Sequence, residues 1–176
     1  MSPLLQIAAA AADRSSALAR LAEPWNNLYS DSKAVASAVL FFHLVPLLVA
    51  GGAALTLDRS TLRVARGSTD DRARHLVDLA RTHAVVLGGL ALSLVSGVLL
   101  FLADVDEFLA TPVFWVKLAL IALLLLNGFM MTRTERALGA ARDDAALWGR
   151  LRTISVLSLI LWIATTLAGV VLTNYA

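Results

Sequence analysis

The chain has 176 residues, 59% of them hydrophobic, and a mean hydropathy of +0.75. Soluble domains are about half apolar. Here the excess sits in long uncharged runs, which point to a membrane protein and not to a large water-soluble core. The net charge of only +2 gives no basic face for nucleic acid, and the lack of cysteine excludes disulfides, thiolate zinc sites, iron–sulfur clusters and covalent haem attachment.

Residues 1–33 are moderately polar. A signal peptide is not expected, because the first basic residue, Arg14, comes after the apolar run 4–12. Leu4, Leu5, Ile7, Leu18 and Leu21 with Arg14 and Arg20 predict an amphipathic helix on the membrane surface. Glu23-Pro24 is expected to end it, since the residue before proline avoids helical geometry. Trp25 and Tyr29 then suit the membrane–water interface. A disordered tail is the alternative.

Four apolar runs follow, at 34–57, 83–103, 112–131 and 153–173, each near the twenty residues that a membrane helix needs. None alternates as a barrel strand does. The fold class predicted is therefore all-α: an integral membrane bundle of four transmembrane helices over 34–176, preceded by the surface helix. Eleven of the fifteen Lys and Arg residues fall in the segments between spans one and two and between spans three and four. By the positive-inside rule these segments face the cytoplasm, so both termini lie outside a bacterial inner (plasma) membrane. Arg14, Arg20 and Lys33 are the counter-examples. The segment after span one is long enough for a short separate helix, with 70–74 and 78–81 as its solvated face and His75 exposed.

Gly89, Ser93 and Gly97 form a small-residue stripe at four-residue spacing on span two, suited to close helix packing within the bundle or to a homo-oligomer. On span one, Ala36, Ala50 and Ala54 lie near the azimuth of His43 and leave a shallow groove, open to a flat ligand or to a neighbouring helix. Pro46 removes one helical hydrogen bond just past His43.

Three ionisable residues lie inside the spans: His43, His83 and Lys117. At ~1.5 Å rise per residue, His43 is ~13 Å and Lys117 ~7 Å below the outer surface, with His83 near the inner one. Lys117 can snorkel outward beside Trp115, and His83 can be hydrated at the interface. His43 is too deep for either. It is expected to bond a Ser or Thr of another span, or to ligate haem iron, for which imidazole is a common donor. A bis-histidine haem between His43 and His83 is strained, since their axial separation is ~11 Å by helix rise. A single axial His43 with Lys117 near the rim fits better, with Lys117 paired to a propionate or transferring protons.

The segment running from His43 through Ala50-Gly51-Gly52-Ala53 to Arg59 resembles the first span of the HemJ-type membrane protoporphyrinogen oxidases. Phe114-Trp115-Val116-Lys117-Leu118 resembles the lysine-containing third span of that family, and the wider CopD-like group has similar four-helix units. The resemblance covers about residues 34–175. It implies that His43 ligates haem b, that Lys117 is the catalytic residue, and that Arg59 lies at the inner rim of the cofactor site. A redox protein of this kind would meet a porphyrinogen or a quinone. Two other functions stay open: CopD-like copper transport, against which count the lack of cysteine and the restriction of the internal methionines to Met130 and Met131 near the inner end of span three, and a non-catalytic subunit of a larger membrane complex.

Overall fold

The computed structural model describes the backbone of residues 3–65 and 67–174 and the side chains of 17–65 and 67–174. These residues form helices joined by short connections: α1 (Pro3–Asp31), α2 (Lys33–Val64), α3 (Thr69–Ala103), α4 (Val105–Ala110), α5 (Pro112–Ala140) and α6 (Ala145–Leu172). Local chemistry sets the breaks. Ser32, Ser68, Asp104 and Asp144 cap α2, α3, α4 and α6 by accepting from the first free backbone N–H groups, and Pro112 occupies the first turn of α5. The helices α2, α3, α5 and α6 are each long and apolar enough to cross a bilayer. The chain is an all-α, multi-pass membrane protein.

Two expectations are corrected. No separate helix lies between spans one and two. Instead α2 continues to Val64 and α3 starts at Thr69, so both overshoot the apolar runs. The overshoot builds a small core of its own from Ala65, Leu79, Met131, Leu138, Trp148, Leu151 and Ile154. Arg72 stacks its guanidinium 5.2 Å over the Trp148 ring and donates to the carbonyl of Ala65. His75 is therefore not on the surface. It is 4% exposed and meets the buried Thr61 hydroxyl at 2.7 Å.

The second correction is at Pro24. The first helix runs through it to Asp31. Proline removes one helical hydrogen bond, but tertiary bonds hold the turn that follows: Trp25 Nε1 donates to Leu99 O at 2.8 Å, and the Asn26 amide donates to Ala103 O. Leu18, Leu21 and Leu28 remain exposed on α1. The side chains of Leu4, Leu5, Ile7 and Arg14 lie outside the described residues.

The four long helices pack in the order α3, α2, α6, α5, and no comparable seam joins α3 to α5. Those two helices instead meet near their ends. Phe101 and Phe114 stack at 5.4 Å at one end, and His83 pairs with Glu135 at 3.1 Å toward the other. The usual distribution of polarity is inverted. Leu48 and Ile163 are 73% and 64% exposed, while Ser93, Ser96, Asn127, Ser155, Ser158 and Thr165 are buried. Lipid solvates the first set, and helix–helix contacts solvate the second.

The stripe on α3 is used within the bundle. A Cβ on Gly89 would stand 2.8 Å from both the Ala50 Cβ and the Pro46 carbonyl oxygen, whereas one on Gly88 would meet nothing within 4 Å. Gly89→Ala is therefore expected to force α2 and α3 apart and to destabilise the bundle by about 1–3 kcal/mol. Gly88→Ala should be neutral or slightly stabilising. Unfolding titrations of the two variants in mixed micelles check the contrast.

Candidate functional site

His43 lies on the face of α2 that meets α3. Its Nδ1 is 2.9 Å from the carbonyl oxygen of Ser93. A carbonyl can only accept, so Nδ1 carries the proton and donates it. The neutral ring then keeps its lone pair on Nε2, the tautomer required of a metal-ligating or proton-accepting histidine. A Cβ on Gly97 would approach His43 Cε1 to 3.2 Å, so glycine there makes room for the ring.

Pro46 explains the serines around it. Lacking an N–H, it leaves the carbonyl of Phe42 without its helical donor. The Ser96 hydroxyl stands 3.2 Å from that oxygen, and the Ser93 hydroxyl donates to His43 O at 3.2 Å. The Ser96 hydroxyl has one proton and is nearer still to Leu92 O, at 2.9 Å, so the two serines line the α2 backbone around Pro46, and the same segment fixes the imidazole. This is the hydrogen bonding to another span expected for His43, made with a backbone carbonyl as well as with hydroxyls.

Lys117 Nζ is 3.6 Å from where a Cβ on Gly169 of α6 would stand, so the side chain reaches toward α6 at a glycine. Its charge acts through space on the His43 ring, so of the residues singled out from the sequence His43 and Lys117 are electrostatic neighbours.

The others lie elsewhere. Arg59 is exposed, sixteen residues along α2 from His43, which is about 24 Å at ~1.5 Å per residue. It belongs to the arginine-rich end of the bundle and is not a neighbour of the His43 ring. His83 is separated from Ser93, the level of the His43 ring, by ten residues of α3, about 15 Å. Its Nδ1 pairs with Glu135, and it is the separation along α3 that keeps the two imidazoles apart. Met131 is packed in the apolar core beside Leu138 and Trp148. Among the described residues, no group of three or more His, Cys, Asp or Glu side chains gathers as a metal cage.

The room expected beneath His43 is filled. Ala50 is fully buried against Gly89, and a Cβ on Gly51 would touch the Trp162 ring at 3.2 Å. Trp162 thereby separates the His43 level from a second polar level nearer the arginine-rich end. There Asp58 of α2 is 2% exposed and faces Ser155 and Ser158 of α6. Asn127 of α5 is 3% exposed and donates to Ile154 O at 3.2 Å. The His83–Glu135 pair closes this level between α3 and α5.

Asp58, Asn127 and Glu135 were not among the candidates from the sequence. Asp58 reads there as the charge that ends span one. The available signal was periodic: Asp58 and Thr61 continue the buried face of Pro46, Ala50 and Ala54.

The fold and these two levels define a multi-pass membrane four-helix bundle with an ordered imidazole and ammonium in its interior. No family model matches this chain, and neither a curated protein nor a solved structure matches it.

The chain has only two lysines, Lys33 and Lys117. A membrane-impermeant amine reagent is expected to modify the exposed Lys33 and to spare Lys117, as read by peptide mass spectrometry. Equal labelling would place Lys117 at the surface.

Proposed function

We propose that the protein binds a b-type haem through His43 and works in membrane redox chemistry, in the manner of the HemJ-type oxidases that its first and third spans resemble. The observation that carries the reading is the Nδ1 bond from His43 to Ser93 O, which leaves Nε2 as the free donor atom. The donor chemistry fits the group. His43 and Lys117 are the residues that would hold it, away from the close packing of Ala50 and Gly51, which leaves no slot directly beneath the ring. A bound haem would supply one-electron transfer. Ser93 and Gly97 orient the imidazole, Trp162 closes the interior below it, and Lys117 holds a positive charge for a carboxylate or a proton at Nζ. By the arginine distribution, both termini and the His43 level lie toward the outer face of a bacterial inner membrane.

The test is a visible spectrum of the purified protein, expected to show a haem Soret band. His43→Ala should lose that band by tenfold or more while keeping a helical, monodisperse bundle, on the order expected for loss of a sole protein ligand. Lys117→Met should keep haem and shift its redox behaviour. A protein without a Soret band after haem reconstitution would instead favour the subunit reading.

A further inference from the structure

We propose that the groove between α3 and α5 at the inner polar level binds the head group of a membrane quinol. This deepens the redox reading, on which the choice of a quinol over other hydroxylated lipids rests. The cavity there is about 280 Å³. Its apolar part is lined by residues such as Leu90 and Leu124, and its polar end by Asp58, His83, Asn127 and Ser158. It lies where α3 and α5, both long and apolar enough to cross a bilayer, lack a packing seam. A ligand can enter sideways from lipid with an apolar tail trailing outward.

The head group follows from what the polar end lacks. Of the groups that line the cavity, Asp58 Oδ2 and Asn127 Oδ1 are buried without a hydrogen-bond partner. Both are acceptors, and the unpartnered Ser155 hydroxyl that faces Asp58 does not line the cavity. A buried acceptor without a donor is costly, so the complementary ligand brings O–H or N–H groups. A bare cation would need no apolar channel, and Arg133 and Arg136 on the rim oppose one. An anionic head would meet the Asp58 carboxylate. A neutral ring bearing two hydroxyls brings one O–H for each of the two lining acceptors, and its apolar tail suits the channel.

Gly128 gives a clean probe. It lines the groove, and a Cβ there would meet nothing within 4 Å, so a larger side chain enters the cavity without disturbing the backbone. The protein in phosphatidylcholine nanodiscs is titrated anaerobically with decyl-ubiquinol and, separately, with decyl-ubiquinone. The quinol is expected to bind about tenfold or more tightly than the quinone, which has acceptors only. Gly128→Leu should weaken quinol binding by a similar factor, and Gly88→Leu, outside the groove, should leave it unchanged. Equal binding of the two forms, indifference to Gly128→Leu, or displacement of the quinol by sodium ions would overturn the proposal. Quinol binding without haem would overturn the haem reading alone. Haem without quinol binding would overturn this inference alone.

Discussion

The close approach of α2 and α3 is the constraint on which the rest depends. In lipid no hydrophobic force drives helices together, so close contact and internal hydrogen bonds must do it. Gly89 lets the backbones meet at Ala50 and Pro46, and at that separation the Ser93 and Ser96 hydroxyls come within 3.2 Å of the His43 and Phe42 carbonyls. The same approach brings Ser93 O to His43 Nδ1. One seam therefore sets helix spacing, places two hydroxyls beside the α2 backbone and selects an imidazole tautomer. A larger residue at Gly89 would alter all three.

From that seam the bundle divides into two polar levels. His43 and Lys117 occupy one, where Gly97 and Gly169 make room for their side chains. Asp58, Asn127, His83 and Glu135 occupy the other. Trp162, seated on Gly51, stands between them. In hydrocarbon each polar group needs a partner within the protein. At the first level, His43 has its partner. At the second, Asp58 Oδ2 and Asn127 Oδ1 remain unmatched where they line the groove.

Much of the fold was legible because the bilayer imposes a simple rule on length and polarity. Four uncharged runs gave four helices. The paired glycines and serine of span two predicted close packing or self-association, and the fold makes the close contact with α2. The depths of His43 and Lys117, counted by helix rise, put them at similar levels, and the Lys117 charge acts on the His43 ring. What was not legible depended on structure beyond the apolar runs. Charge between residues 58 and 82 reads as loop, yet Ser68 caps a long α3 and Leu79 buries its extension. That extension draws in His75. Asp58 escaped notice for the same reason: polarity marks a span boundary, whereas helical periodicity continues through it. Pro24 reads as a stop, and only the bonds of Trp25 and Asn26 to α3 keep the helix going. The space beneath His43 depended on Trp162, more than a hundred residues away in sequence, and no local pattern announces it.

The central claim is that the fold holds His43 as a neutral ring with its proton on Nδ1 and its lone pair on Nε2. Solid-state ¹⁵N NMR of histidine-labelled protein in lipid bilayers reads this directly, with the signal assigned by His43→Gln. The account predicts a protonated Nδ1 and an unprotonated or ligand-bound Nε2. A proton on Nε2 with a bare Nδ1, or a doubly protonated ring at neutral pH, would contradict it.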